Sequence, residues 1–306
     1  MSLLDNIPEN EINMISKAAT GFISALQRLL PGISIRSIQN AESKATKSIA
    51  KDIEYINKLN IDDLSKKTLI ANSISRHSRA VNLANVITYA SQDVKPNSNN
   101  NTIDSDWLNH FHDYAEKITT PDLQQIWGKI LAGEINAPGS FSKRTLTILN
   151  DMNAIEAESF RRLCSVCITR ESLPGRTNEP FSLLYGEEFY SNYNKDINLL
   201  GNLGLLDFRP GGSLASQFTI NLKDGDIINI AGSRFYLKSE SGKNARPIYI
   251  PFSKYGIELS ELCQKGNAAG YKEAVIDYLK VNNSPIKIYE ITNWTDCKHF
   301  NKRRIY

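Results

Sequence analysis

The spacing of apolar residues predicts helices over the N-terminal half of the chain. Between residues 12 and 30, apolar side chains recur every three or four positions and share one helical face, and Pro31-Gly32 ends this pattern. The same spacing returns over residues 37–90, where a narrow seam is typical of a coiled-coil-like contact. The seam consists of Ala45, Ile49, Ile53 and Ile56. We expect both amphipathic stretches, within residues 1–92, to serve self-association.

A polar stretch without periodicity follows the first helical region. Residues 93–104 are rich in Asn, Asp and Ser and contain one proline. Such a composition is typical of a linker, because it offers neither an apolar face to bury nor a helical pattern to continue. We therefore place a domain boundary here.

Four short, closely connected helices are predicted over residues 105–170. Capping residues or proline mark their starts: Asp104 or Ser105, Thr120-Pro121, Ser140 or Ser142, and Asn153. Gly133 stands where a glycine ends a helix, and the predicted buried positions include Leu123, Ile155 and Cys167. Helices this short are not stable alone, so the four must stabilise one another by packing.

This segment contains two distinctive sequence motifs. They are Trp127-Gly-Lys-Ile-Leu-Ala-Gly-Glu-Ile135 and Pro138-Gly-Ser-Phe-Ser-Lys-Arg-Thr-Leu146, with Glu156-Ala157-x-x-Phe160 downstream. Over roughly residues 76–170 the chain resembles an uncharacterised bacterial family, one of the domains of unknown function. The resemblance implies no activity, cofactor or catalytic residue, and the family type leads us to expect a phage-defence or stress-response setting. Cys164 and Cys167 occupy positions that are usually apolar in that family, which argues against a metal site.

The motif residues have a structural interpretation, which we favour over a catalytic one. Ser142 would cap a helix, and Glu134 would pair with Arg144 across the turn. Gly133 and Gly139 would let the backbone bend. The complete structural motif is Trp107, Trp127, Gly133, Glu134, Pro138, Ser142 and Arg144.

Beyond residue 170 the pattern changes to a mixture of helices and strands. A helix over residues 187–204 is followed by alternating positions and by Asp224-Gly225, a hairpin-type dipeptide. Further strands are predicted at 227–230, 233–238, 247–252 and 286–291, and further helices at 254–262 and 268–281. The order of helix, hairpin and helix resembles small winged-helix-like modules, an analogy of fold alone. The predicted class is α+β, with a mainly helical N-terminal half and a smaller mixed domain over residues 171–306.

Composition limits the classes of protein to which this chain can belong. Apolar residues make up 41% of the chain and charged residues 23%, which is ordinary for a globular protein. A net charge of +3 is too small to indicate nucleic-acid binding. Four cysteines without regular spacing favour a reducing compartment. Because we find neither a signal segment nor a run of about 18 apolar residues, we expect a cytoplasmic protein.

We predict no cofactor, no metal and no catalytic residue. Cys164-Ser-Val-Cys167 could supply zinc ligands with Cys263 and Cys297-Lys-His299, but the first pair lies on an apolar helical face and the second is irregular. Asp224, Asp226 and Glu240 with Lys243 could serve a nuclease, but we favour the explanation that Asp224-Gly-Asp226 forms a turn. Motifs for phosphate binding and acyl transfer are missing from the sequence.

Two main functions remain after these exclusions, with a metal-dependent enzyme as a third and weaker hypothesis. The leading hypothesis is a non-catalytic intracellular interaction or regulatory protein that self-associates through its helical half. The alternative is a nucleic-acid-binding protein that uses its C-terminal module and a basic cluster interleaved with aromatic residues. That cluster contains Lys298, Lys302, Arg303 and Arg304.

Overall fold

A computed structural model describes residues 41–95, 103–171, 179–183, 186–207, 221–239, 242, 249–281 and 286–291. The predicted amphipathic helix at residues 12–30 lies outside this part of the chain. The chain divides into two compact units, Met1–Asn150 and Asp151–Tyr306. In the described residues the first unit is helical and the second combines helices with an antiparallel sheet, which confirms the α+β class.

Five helices form the described part of the first unit. They are α1 (Ala41–Lys58), α2 (Asp63–Asp93), α3 (Ser105–Ala115), α4 (Pro121–Asn136) and α5 (Lys143–Asp151). α2 starts where the sequence predicts a break, because the carboxylate of Asp62 accepts the N–H of Ser65 at 2.9 Å. Asp104 caps α3 in the same way by accepting the N–H of Trp107 at 2.8 Å.

The prediction that Gly133 ends a helix is wrong. α4 continues past it to Asn136, and the ring of Phe141 occupies the space beside the glycine. A Cβ added at Gly133 would stand 2.7 Å from that ring. The glycine therefore permits a close contact rather than terminating the helix. Leu123, predicted to be buried, is 43% exposed, while the neighbouring Gln124 is buried and donates to the carbonyl oxygen of Ile118.

The described ends of the predicted linker are fixed to the first unit. Val94 is 8% exposed and Ile103 is 6% exposed. The side chain of Asn136 accepts the N–H of Lys95 at 2.8 Å and donates to the carbonyl oxygen of Asp93 at 3.0 Å. These contacts anchor both sides of residues 96–102, which lie outside the described part of the chain.

Ten elements form the described part of the second unit. They are α6 (Ala154–Cys164), β1 (Cys167–Glu171), β2 (Glu179–Leu183), α7 (Gly186–Asn202), β3 (Ile227–Ile230), β4 (Ser233–Ser239), β5 (Tyr249–Pro251), α8 (Lys254–Ser260), α9 (Tyr271–Val281) and β6 (Ile286–Glu290). The six strands form one sheet in the order β5-β2-β1-β3-β4-β6, and every pairing is antiparallel. The β3–β4 hairpin follows α7 and precedes α8, as the predicted order requires. It is paired on both sides, by β1 and by β6.

The fourth helix of the predicted bundle belongs to the second unit. α6 packs against α7 and leads directly into β1, so the division falls at residues 150 and 151 rather than at 170. Asn153 starts this helix with a capping box that includes Glu156. Ile155, predicted to be buried, is 74% exposed. Cys167 is buried as predicted, but it is the first residue of β1 and not part of this helix.

Turns before and within the hairpin depend on backbone conformations that favour glycine. Gly225 has a φ of +87° and donates its N–H to the carbonyl oxygen of Leu237 at 2.8 Å. Ala231 and Gly232 connect β3 to β4 with φ values of 51° and 83°, the pattern of a tight hairpin turn. None of the helices in the described part of the chain combines the length and apolar character needed to cross a membrane.

The contact between α2 and α4 gives a test of this packing. A Cβ added at Gly128 would stand 2.6 Å from the Cβ of Tyr89 and 2.9 Å from the backbone nitrogen of Ala90. We expect Gly128→Ala to lower the free energy of unfolding by about 1–3 kcal/mol, because backbone atoms must move apart. Lys129→Ala, at an exposed position of the same helix, should change it by less than about 0.5 kcal/mol. Equal stability of both variants in urea unfolding contradicts the close contact.

Candidate functional site

The motif residues of the first unit surround one buried carboxylate. Glu134 is 2% exposed, and it accepts the N–H of Gly139 at 2.6 Å and the N–H of Phe141 at 3.1 Å. A buried carboxylate needs such donors because burial otherwise destabilises its charge. The two hydrogen bonds fix the turn that begins at Pro138, where Gly139 has a φ of +87°.

Aromatic residues of α3 and α4 pack around the same cluster. Trp107 donates its indole N–H to the carbonyl oxygen of Phe141 at 2.7 Å. The rings of Trp107 and Phe111 are stacked with 5.2 Å between centroids, and Phe111 also contacts Trp127. Trp127 is 1% exposed. The motif thus forms a packed interior, with aromatic rings around the fixed turn.

Ser142 and Arg144 lie beside this interior. The hydroxyl of Ser142 accepts the N–H of Thr145 at 3.3 Å, which is the contact of a helix cap. Arg144 is exposed, and its pairing with Glu134 stays a prediction. The described contacts of these residues explain the motif through packing and turn geometry, and none of these contacts requires a substrate.

A polar cluster that the sequence analysis missed joins α1 to α2. Asp52 accepts hydrogen bonds from Ser73, from Arg76 at 3.1 Å and from His77 at 3.3 Å. Ser73 and His77 are four residues apart on α2, so both reach the same carboxylate. The sequence signal that could have revealed this cluster is the four-residue spacing of the serine and the histidine on one predicted helix, with an acidic residue on the preceding helix. In a hydrolytic triad the imidazole stands between hydroxyl and carboxylate, whereas here the carboxylate stands between the other two.

The α1–α2 hairpin exposes a group of large apolar side chains, which we call the hairpin surface. Its members are Tyr55, Ile61, Leu64, Leu69 and Ile74, with exposed fractions between 38% and 74%. Tyr55 and Leu69 line a groove of about 430 Å³ beside Asp52, Ser73 and Arg76. The groove therefore combines apolar walls with a polar floor that carries charges of both signs.

The predicted seam extends from this groove to a second one on the same hairpin. Ile56 is 7% exposed and lines the first groove with Tyr55 and Leu69. Ala45 and Ile49 face a second groove of about 370 Å³ together with Val81 of α2. Ile56 is therefore buried beside α2, whereas Ala45, Ile49 and Ile53 are half-buried. The residues of the hairpin surface are the more exposed apolar side chains of this hairpin.

The cysteines that were considered as possible zinc ligands are not gathered into one site within the described residues. No group of three or more His, Cys, Asp or Glu side chains in this part of the chain is arranged to hold a metal ion. Cys164 ends α6 and Cys167 begins β1, so they do not share a helical face. Cys263 follows α8, while Cys297 and His299 lie outside the described residues.

Two of the carboxylates considered for nuclease chemistry hold the turn before β3. Asp224 accepts the N–H of Ser239 and Asp226 accepts the N–H of Lys223, each at 2.8 Å. These contacts agree with the turn interpretation. Glu240 and Lys243 lie outside the described residues, as does the basic cluster of the alternative hypothesis. The members of that cluster are Lys298, Lys302, Arg303 and Arg304.

Ionic contacts between α6 and α7 stabilise the second unit. Arg162 lies 3.5 Å from the carboxylate of Asp196, which is almost fully buried, and 5.5 Å from the ring centroid of Tyr193. Burial raises the pKa of the Tyr193 hydroxyl. The groove beside them, about 480 Å³, has the exposed Ile155 at its edge.

Comparison with known proteins yields one match. The model of a family described as "Protein of unknown function (DUF2806)" matches residues 72–276. The match covers the motifs and extends well beyond the range over which the sequence resembled such a family. No curated protein and no solved structure matches the chain.

The buried carboxylate gives the first test of this subsection. In Glu134→Gln, the amide N–H₂ group would face one of the two backbone N–H donors and leave it without an acceptor. We expect the free energy of unfolding to fall by about 1–3 kcal/mol. Glu54→Gln is the control, because Glu54 is 69% exposed and forms a surface pair with Lys58, worth about 0–1 kcal/mol. Equal losses of unfolding free energy in the two variants, measured by urea unfolding, would show that the hydrogen bonds of Glu134 stabilise the fold no more than an exposed ion pair does.

The polar cluster gives a test against pH. Hydrogen bonds from Ser73 and then from His77 hold the pKa of Asp52 below its ordinary value of 3.8. Its contribution to stability is therefore complete above that value and lost as pH falls through the lower pKa of the folded state. We expect the difference in unfolding free energy between the wild type and Asp52→Asn to shrink over that acidic range. Asp113→Asn, at an exposed position of α3, should show a smaller change, and a difference that does not vary with pH contradicts the assignment.

Proposed function

We propose that this chain, which belongs to the DUF2806 family of proteins of unknown function, is a non-catalytic interaction protein that self-associates through the hairpin surface. The observation that supports this proposal most directly is the position of the exposed apolar side chains. Among the described residues, seven large apolar side chains are exposed, and five of them are on the α1–α2 hairpin. Tyr55 and Leu69 line one groove of this hairpin, and exposed apolar groups that lie together are typical of surfaces that contact another protein.

Charge supports a second copy of this chain as the partner. The hairpin surface lies beside Asp52 and Arg76, and α1 also carries the exposed pair Glu54 and Lys58. Asp52 pairs with Arg76 and Glu54 with Lys58 within one chain, so these groups bring no net charge to a contact between two copies related by a twofold axis. A surface for nucleic acid would instead need predominantly basic residues, because its phosphates are all negative.

The described polar clusters support a role without catalysis. The carboxylate of Asp52 receives the Ser73 hydroxyl, and that of Glu134 receives two backbone N–H groups. Both clusters stabilise contacts between elements of the same unit. The setting we propose is the bacterial cytoplasm, supported by three cysteines that are free thiols. A phage-defence or stress-response role stays a prediction from the family type.

Sedimentation equilibrium of the full chain tests self-association. We expect a concentration-dependent oligomer whose dissociation constant changes little with added salt, since apolar contacts dominate. Leu64→Ser with Leu69→Ser should weaken the association at least about tenfold, because each change removes an apolar side chain worth about 1 kcal/mol or more at an interface.

A matched control is available elsewhere on the chain. Leu64 and Leu69 are 74% and 41% exposed, and Ile155 and Leu123 are 74% and 43% exposed. Leu123→Ser with Ile155→Ser removes similar apolar area and should leave the association unchanged. A monomeric wild type, or equal weakening by both double variants, contradicts the proposal. Salt-sensitive binding to a DNA duplex by a monomeric chain would favour the alternative hypothesis.

A further inference from the structure

Two thiols of the second unit are brought together by a loop that returns to the end of α6. The N–H of Gly266 donates to the carbonyl oxygen of Cys164 at 3.0 Å, and the N–H of Ala268 donates to that of Ser165 at 2.9 Å. Gly266 has a φ of +68°, and a Cβ there would stand 2.9 Å from a backbone carbonyl oxygen of β1. The close approach of this loop places Cys263 beside Cys164.

The two thiols have different surroundings. Cys164 is fully buried, whereas Cys263 is half-buried on the loop between α8 and α9. The nearness of the two thiols is the main cause that raises the pKa of Cys164 and lowers the pKa of Cys263. Lys265 and Arg161 contribute further to the lowered pKa of Cys263, because their positive charges favour the thiolate.

A third thiol in the same unit is engaged differently. Cys167, on β1, donates its S–H to the backbone carbonyl oxygen of Ile168 at 3.4 Å and is fully buried. A buried thiol that contacts a carbonyl oxygen lacks the cationic surroundings that activate a nucleophile. Cys167 therefore provides an internal comparison for the reactivity of the other two cysteines.

We propose that Cys263 and Cys164 form a reversible redox pair that reacts with hydroperoxides. The Cys263 thiolate attacks one peroxide oxygen and the O–O bond breaks. The sulfur is oxidised to a sulfenic acid, and the peroxide is reduced to water or an alcohol after taking up a proton. The Cys164 sulfur then attacks the Cys263 sulfur, and the hydroxyl group leaves as water with the Cys164 proton.

The products balance as one disulfide, one water and one water or alcohol from two thiols and one hydroperoxide. A disulfide requires its sulfur atoms to lie about 2 Å apart, closer than the two free thiols lie. Because Cys164 is held in α6, the remaining approach falls to the loop that carries Cys263. A small-molecule thiol can reverse the reaction by exchange with the disulfide. This chemistry lies in the second unit and does not depend on the self-association proposed above.

Peptide mapping of the full chain after treatment with hydrogen peroxide tests the pair. We expect a linked peptide joining Cys164 to Cys263, with the mass loss of two hydrogen atoms, and a free thiol at Cys167. Added glutathione should restore both thiols. Cys263→Ser should abolish the linked peptide, and Cys167→Ser, the matched control, should retain it.

A second measurement separates the two chemical steps. In Cys164→Ser, the sulfenic acid on Cys263 has no thiol to close on, so a 1,3-diketone reagent should label it. If this buried substitution prevents folding, the wild-type peptide map decides alone. A linked peptide that joins Cys263 to Cys167 or to Cys297 overturns the pair. If the peroxide oxidises glutathione added to the sample but no linked peptide forms, the proposal is also overturned.

Discussion

The buried carboxylate of Glu134 is the interaction on which the packing of the first unit depends. An ionised group at this depth is stable only when donors surround it, and its donors are backbone N–H groups of the turn at residues 139–141. This turn fixes the position of Phe141. The ring of Phe141 lies against Gly133, and its carbonyl oxygen accepts the indole N–H of Trp107. One carboxylate therefore determines a turn, a helix contact and the position of an aromatic cluster.

Sequence patterns predicted the elements whose causes are local. Asp62, Asp104 and Asn153 start helices by accepting backbone N–H groups of residues two or three positions later, so the cap and its donor lie close together in the sequence. The function of Gly133 was not visible in this way. A glycine at the end of an apolar stripe suits both a helix end and a close contact, and only the position of Phe141 distinguishes the two.

Contacts between distant parts of the chain could not be predicted from spacing. The apolar pattern of α6 runs without interruption into β1, so Cys167 looked helical although it pairs with Ser182 in the sheet. The thiol contact of Cys164 with Cys263 depends on how the loop after α8 returns to α6. Periodicity also counted Ile155 as core, because it reports which residues share a face and not whether another element covers that face.

Family membership bears differently on the two proposals. The matched range begins at residue 72, so it includes the motif around Glu134 and the three thiols in the described part of the second unit, together with most of the sheet. Four of the five residues of the hairpin surface precede it, and only Ile74 lies inside. Membership therefore carries no information about self-association, which rests on the exposed side chains of this chain alone. Because the hairpin surface and the thiol pair also belong to different compact units, each proposal is decided by its own physical observation.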